Sequence, residues 1–391
     1  MSLLDATSTT TSAGDESTIT SATSTGRTVE VVWSDGSSST YLSLWLRDNC
    51  PQLLHATTHH RVVETSSIPD DVHSSEVGVD DAGNLRITWA HDGHVSTFEP
   101  QWLRRFDYSN GARRSRPEPK LWDAADAAAV PHISYPELLA DDRVRQQFLR
   151  GFVQYGLAFL HDVPVTPGTV LDVAKEFGEI RSTSWGTVFD VVSMVDANSV
   201  AYTNLPLVTH TDEGYRDPAP TVQLTHFLRS DATGGAATLT DGFKVAADLR
   251  AEHPDMFELL ANQSLHFHFA DATAEHEADG PVIVTEPGGR LKAIRYSNHS
   301  AQPFLMDPEL MEAYYAAYRT FGQMRESEQY QLRIEMQEGD MYMVANHRVM
   351  HGRTAFASGG ARHLQSCYIE RDELASRLTV LDRQLGSSAG A

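Results

Sequence analysis

What the chain has little of bounds it first. Only two of its 391 residues are cysteine, Cys50 and Cys367. Far apart in sequence, they build no disulfide framework and fit a reducing compartment, with the cytoplasm as the expected location. Positive charge is also scarce: 31 Lys and Arg stand against 53 Asp and Glu, a formal net charge of −22. Such a chain repels nucleic acid and anionic membrane, and its one basic cluster, Arg113-Arg114-Ser115-Arg116, reads as a solvated linker. No apolar run approaches the ~18 residues that a membrane span needs. Residues 1–26 are rich in Ser and Thr, carry no basic residue and lack an apolar stretch. The expectation there is a disordered tail, neither signal nor transit peptide.

What is present is mostly short-period alternation. Val29 to Trp33 and Thr40 to Leu44 flank Ser34-Asp35-Gly36 as a hairpin, and further strands are expected at 76–79, 85–89 and 95–98. Residues 27–110 therefore read as a small β-rich N-terminal domain and 111–125 as a linker. Residues 126–391 form the second domain. It opens with a helix capped by Asp141 or Asp142 and ending at Gly156, followed by an apolar strand at 157–160 and a helix over about 167–177. Strands are expected at 221–227, 237–240, 332–336, 341–345 and 363–369, with helices at 245–250, 255–261, 307–324 and 371–385. Helices grouped between many short strands, rather than alternating one for one, argue against a doubly wound parallel sheet. They favour a mainly β antiparallel barrel or jelly roll with helical buttresses.

The chemistry centres on Thr209-His210-Thr211-Asp212-Glu213. In an extended segment, residues i and i+2 share a face, so His210 and Asp212 can close on one metal ion. His351, within Asn346-His347-Arg348-Val349-Met350-His351-Gly352-Arg353, would complete a two-His, one-carboxylate set, which suits non-heme Fe(II) and leaves positions open for a co-substrate and O2. With 18 His in an acidic chain the tripeptide alone is weak, and its weight comes from context. Cys50, His55 and His94 supply three of the four ligands of a possible structural zinc site; Gln52 is a poor fourth. His266 and His268 alternate with Phe267 and Phe269 on a strand and read as structural.

Several motifs in order carry a resemblance: Trp45-Leu46-Arg47-Asp48-Asn49-Cys50, Asp196-Ala197-Asn198, Val200-Ala201-Tyr202-Thr203, His210-Thr211-Asp212 and Val222-Gln223-Leu224. They continue with Thr240-Asp241-Gly242-Phe243, Gly339-Asp340, His351-Gly352-Arg353 and Arg362-His363-Leu364-Gln365. From Trp45 to about Arg377 the chain resembles the γ-butyrobetaine hydroxylase group of Fe(II)/2-oxoglutarate dioxygenases. That group is related to trimethyllysine hydroxylase and, more distantly, taurine dioxygenase. The resemblance implies a double-stranded β-helix (jelly-roll) catalytic domain behind the small N-terminal domain, and commonly a homodimer. It implies His210, Asp212 and His351 as iron ligands and Arg362 as the 2-oxoglutarate anchor, with Thr238 assisting. Arg suits that task because its planar fork binds a carboxylate through two hydrogen bonds.

It further implies an aromatic cage for a trimethylammonium group at Trp185, Phe189, Tyr202, Glu213 and Tyr368, with Glu213 in place of a tyrosine. A carboxylate there would accept a hydrogen bond from a less methylated amine. Asn298 matches one asparagine of the acid-binding end, and Ser199 stands where the other is expected, so the acid group can be a carboxylate or a phosphonate. The expected reaction is hydroxylation of an unactivated C–H in a small cationic or zwitterionic amine, yielding succinate and CO2. The rivals are desaturation or cyclisation of an amino acid or aminophosphonate, a non-catalytic 2-oxoglutarate-binding protein, and a zinc hydrolase using the same ligands.

Overall fold

Alternating burial builds the first unit, residues 8–116. The computed structural model describes residues 18–109, 118–192, 203–231, 233–357 and 361–388. Strands Thr28–Trp33 and Ser38–Leu42 form the expected hairpin, which turns through Gly36 at φ +83°. Val29, Val31, Trp33 and Tyr41 all point into the core. The chain leaves the sheet sooner than its alternation suggests, because Ser43–Asp48 is helical. A third strand, Ile19–Ser24, pairs antiparallel with Thr28–Trp33 and corrects the reading of a disordered tail for that stretch; residues 1–17 lie outside the described residues. Ile19 is buried while most of the strand is exposed, and a polar edge strand has the composition of disorder. A second sheet of Ser74–Val79, Leu85–Trp89 and Val95–Phe98 shares this core. The indole N–H groups of Trp33 and Trp89 donate to Ser39 (2.8 Å) and Ser96 (2.7 Å), so both rings are buried without an orphaned donor.

Two sheets make the second unit, residues 117–391. In the larger, Phe189–Val192, Arg362–Ile369, Val222–Ser230, Met341–Ala345, Leu157–His161 and His132–Ser134 lie side by side, with Ile180–Arg181 also on Arg362–Ile369. The smaller runs Leu207–His210, Val349–Arg353, Ala237–Asp241, Gln331–Ile334. All pairings are antiparallel except that of His132–Ser134 with Leu157–His161. Phe159, Phe227 and Val344 of the larger sheet share one apolar layer with Leu239, Leu332 and Val349 of the smaller. The fold is therefore a double-stranded β-helix, mostly β, as expected.

Helices cover the outer faces. Asp142–Tyr155 begins where Asp141 accepts the Arg143 N–H at 2.7 Å and stops at Gly156 in the left-handed conformation. With Thr169–Lys175 and Arg371–Ser388 it packs on the larger sheet through Phe148, Phe152, Val173 and Leu374. Asp382 accepts from Gln146 (2.7 Å) and Arg150 (2.8 Å), so the last helix is tied to its own chain along one side. Helices Gly242–Glu252, Pro254–Asn262 and Pro308–Glu326 form a second layer with hairpins 264–281 and 283–294. Among the described residues no helix is long and apolar enough to cross a membrane.

One buried ion pair ties the layers together. Arg348, in the turn between Met341–Ala345 and Val349–Arg353, donates from Nε and Nη2 to Asp241 at 2.9 and 2.7 Å. It also reaches the backbone carbonyls of Gln154 and Lys120. Both side chains are almost wholly buried. Arg348→Met strands the Asp241 carboxylate and should cost about 3–5 kcal/mol of stability. Lys175→Met, in an exposed pair with Asp172, should change it by less than about 1 kcal/mol. Denaturant midpoints of the two variants check the contrast.

Candidate active site

Pairing of Leu207–His210 with Val349–Arg353 sets His210 directly opposite His351. The two strands approach so closely that a Cβ at Gly352 would collide with the Leu207 carbonyl oxygen, so only glycine fits beside the second histidine. Thr209, one step before His210, is gripped by the end of the Pro308–Glu326 helix: its N–H donates to Glu326 Oε1 at 3.0 Å and its carbonyl accepts from Arg325. Asp212 lies just past the strand. Its N–H donates to Asn346 Oδ1 at 2.7 Å, while the Asn346 amide donates back to the carbonyls of Asp212 and Pro220. A turn residue of the neighbouring connection thus holds the metal-side carboxylate in place.

His210, Asp212 and His351 each offer one ligand atom, and these atoms lie within 4.8 Å of one another. Val208 carbonyl oxygen accepts from His210 Nδ1 at 3.0 Å, which leaves Nε2 as a lone pair 3.3 Å from Asp212 Oδ1. His351 Nε2 is 3.4 Å from Asp212 Oδ2. Lone pair facing carboxylate calls for a proton or a cation between them. Burial opposes ionisation of Asp212, yet the imidazoles of His351 and His210 outweigh it and hold the carboxyl well below its usual range. Two nitrogens and an anionic oxygen in a partly buried corner fit a divalent metal such as Fe(II). Gln223 Nε2 and the Tyr368 hydroxyl each donate to Asp212 Oδ2 at 2.7 Å and orient it.

The three ligands line a cavity of about 380 Å³ between the sheets. At one end lie Arg353 and Arg362. Arg353 is committed to the carbonyls of Leu205 and Thr203. Among the described residues Arg362 has neither a carboxylate nor a hydrogen-bond acceptor, only the rings of Phe227 and Phe356 at 5.7 and 5.5 Å. Burial lowers its pKa, opposed by the Tyr342 hydroxyl, so an anionic ligand would stabilise the charge. The other end is aromatic: Trp185, Phe189, Tyr215, Phe269 and Tyr368. Phe269 packs on Trp185 (5.3 Å between centroids) and Tyr215 (5.0 Å), and Phe189 on Tyr368 (5.4 Å). Glu213, at φ +52°, turns into the same cavity. Burial pushes its carboxyl up to about 7, opposed by Arg216, whose Nε is 2.6 Å from Glu213 Oε2.

Some expected positions fall elsewhere. Thr238 does not line the cavity; it sits in the middle strand of the smaller sheet, opposite Gly352 and Arg333, and the second basic group facing the cavity is Arg353. Asn298 also lies off the lining, its Oδ1 taken by the Tyr318 hydroxyl at 2.6 Å, while its neighbours Ser297, His299 and Ser300 face in. Ser199 and Tyr202 lie outside the described residues. The zinc set is corrected as well. Cys50 Sγ is 3.2 Å from His94 Nε2 and from Gln52 Oε1, but His55 turns to the N–H groups of Thr57 and Thr58. These three side chains do not gather; Gln52, clasping the Thr97 N–H at 2.9 Å, fills the space a ligand would take.

Nothing in the sequence marks Tyr215 and Phe269 as lining residues, since neither stands in the metal motif and Phe269 alternates with histidines along its strand. His268 reaches the cavity and is also held by Glu275 at 2.9 Å. Because Gln223 orients Asp212 rather than touching the metal, Gln223→Leu should weaken Fe(II) binding about 10- to 100-fold. Asp212→Ala should abolish it, and anaerobic titration of the metal-free protein measures both.

Comparison with known proteins agrees with this geometry. Residues 115–368 match the taurine catabolism dioxygenase TauD, TfdA family, and residues 20–106 match the gamma-butyrobetaine hydroxylase-like N-terminal family. Gamma-butyrobetaine dioxygenase of Pseudomonas sp. (strain AK-1) is 37% identical over 94% of this chain and 97% of its own. The human gamma-butyrobetaine dioxygenase is 28% identical over 91% of this chain and 95% of its own. Trimethyllysine dioxygenase of Gallus gallus is 31% identical over 87% and 83%. With the family match spanning most of the second unit and the metal corner at its centre, the chain belongs to the taurine catabolism dioxygenase TauD, TfdA family and is an Fe(II)/2-oxoglutarate-dependent dioxygenase.

Proposed function

We propose that this dioxygenase hydroxylates an unactivated C–H of a small zwitterion bearing a trimethylammonium head, γ-butyrobetaine or a close analogue. The observation that carries the reading is one cavity holding the His210, Asp212 and His351 corner, the Arg362 guanidinium and a five-ring aromatic wall. The 37% identity to a gamma-butyrobetaine dioxygenase supports the same substrate class. A quaternary ammonium donates no hydrogen bond, so ring faces and a nearby negative charge are what can recognise it.

In this reading His210, Asp212 and His351 hold Fe(II), which with 2-oxoglutarate and O2 supplies the oxidising chemistry and releases succinate and CO2. Arg362 takes the far carboxylate of 2-oxoglutarate, its partly buried position strengthening the charge-assisted bond. Trp185, Phe189, Tyr215, Phe269 and Tyr368 surround the ammonium head. Tyr368 serves twice, presenting its ring to the substrate and its hydroxyl to Asp212. Glu213 contributes charge already balanced by Arg216, which suits a head group held by rings more than by a direct ion pair. Ser297, His299 and Ser300 receive the substrate's acid group; Ser300 Oγ is buried with no hydrogen-bond partner among the described residues, an unmet donor facing the cavity. These residues place one C–H beside the metal and hold the rest of the molecule away from it. A cytoplasmic location and a homodimer accompany the proposal, supported by two free, buried cysteines and by the family resemblance respectively.

Incubation with γ-butyrobetaine should give a product heavier by one oxygen atom and an equal amount of succinate. Trimethyllysine should give less of each. Succinate at background with both would overturn the substrate assignment. Arg362→Lys removes the planar fork, a loss of about 1.5–3 kcal/mol, and should raise KM for 2-oxoglutarate about 10- to 100-fold with a smaller change in KM for the amine.

A further inference from the structure

Behind the aromatic wall lies a polar junction that the metal and co-substrate chemistry does not use. Arg216 Nη2 donates to Ser184 Oγ at 2.5 Å and to His276 Nε2 at 3.1 Å, and Ser184 Oγ is itself 2.9 Å from His276 Nε2. Through Nε the same guanidinium meets Glu213 Oε2 at 2.6 Å. A guanidinium has only donors, so His276 Nε2 must be the lone pair in this contact and its proton sits on Nδ1. The four residues come from three separate stretches: the loop before Phe189–Val192, the turn after Asp212, and the Glu275–Pro281 strand.

Two of the stretches also carry a ring of the cage, and the third is paired with the strand that carries another. Trp185 follows Ser184, and Tyr215 precedes Arg216. Phe269 faces His276 across the hairpin register. The rings interlock on their own side: Phe269 touches Trp185 and Tyr215, Tyr215 stacks on the His276 imidazole at 6.3 Å, and Tyr215 shares a hydrogen bond with Trp185. None of the three stretches is held to another by sheet pairing. The junction at Arg216 is therefore a polar tie that joins all three of the stretches behind this side of the cavity.

Resting on the trimethylammonium reading above, we infer that Arg216 is a positioning residue. Together with Ser184 and His276 it clamps Trp185, Tyr215 and Phe269 into a preformed cage for the quaternary ammonium head. A cage held in advance by polar ties behind it does not have to be ordered by the ligand, and its rings stay at the spacing a trimethylammonium needs. Glu213 is held by the same guanidinium, so charge and ring geometry are set together.

A simpler role makes the opposite prediction. If Arg216 only neutralised Glu213, removing it would leave a buried carboxylate facing the cation and tighten binding. The clamp requires weaker binding. Tetramethylammonium, the bare head group, is the probe, titrated calorimetrically into full-length enzyme loaded anaerobically with Fe(II) and 2-oxoglutarate. Arg216→Met and His276→Leu should each raise its Kd at least tenfold, and His276→Gln, whose amide oxygen can accept from Arg216, should stay within about threefold of wild type. In turnover with γ-butyrobetaine the first two should raise KM with kcat little changed and release more succinate per hydroxylated product. Their Kd for 2-oxoglutarate should stay that of wild type.

Tighter tetramethylammonium binding in Arg216→Met overturns the clamp, as does wild-type affinity in His276→Leu or loss of affinity in His276→Gln equal to that in His276→Leu. His276→Leu adds no buried charge imbalance, so it carries the test if Arg216→Met does not fold. Wild-type enzyme that binds tetramethylammonium but leaves γ-butyrobetaine unoxidised defeats the substrate assignment and leaves the clamp standing. Wild-type enzyme that does not bind tetramethylammonium defeats both.

Discussion

The site depends on the close antiparallel contact between Leu207–His210 and Val349–Arg353. It brings two histidines from distant parts of the chain to the same level of the smaller sheet, and Gly352 permits the approach by having no side chain. Everything around it defends that contact. Asn346 binds the backbone on both sides of Asp212, Arg325 and Glu326 hold Thr209, and the Arg348–Asp241 pair fixes the turn from which the His351 strand departs. A metal corner needs its donors closely fixed; paired strands fix His210 and His351, and the Asn346 amide fixes Asp212 just past the strand.

Electrostatics then divides the cavity. An acidic protein collects two cations at one end, where Arg353 is spent on backbone carbonyls and Arg362 is left for a ligand. At the other end a single carboxylate, Glu213, is paired inside the wall by Arg216. In the proposed reading the co-substrate end is net positive, whereas the amine end is close to neutral and ringed with π faces, so the two kinds of ligand would be sorted by field as well as by shape.

Much of the architecture was legible because it rests on local rules. The helix from Asp141 to Gly156 was bracketed by its cap and its glycine, and Met341–Ala345 by an apolar run after a tight turn. The strand carrying His351 was not marked out, since Val349-Met350-His351-Gly352-Arg353 is neither alternating nor β-rich and owes its extension to two neighbouring strands. Ile19–Ser24 has the composition of a tail for a similar reason: an edge strand with one buried residue is polar along its length, and only its pairing with Thr28–Trp33 orders it. The zinc expectation failed at His55, where local N–H groups compete for the ring and spacing says nothing of direction.

What the sequence by itself determined is the inventory and its order: His210-x-Asp212, a later His351, and Arg362 eleven residues on, in a strongly acidic chain. These are choices of functional group, and functional groups are written in the residues. Only the tertiary structure decided which rings surround the cavity, that Thr238 and Asn298 stand outside its lining, and that Glu213 lines it while paired with Arg216. Those outcomes turn on which strands meet and on the left-handed backbone at Glu213, both set by packing between segments far apart in the chain.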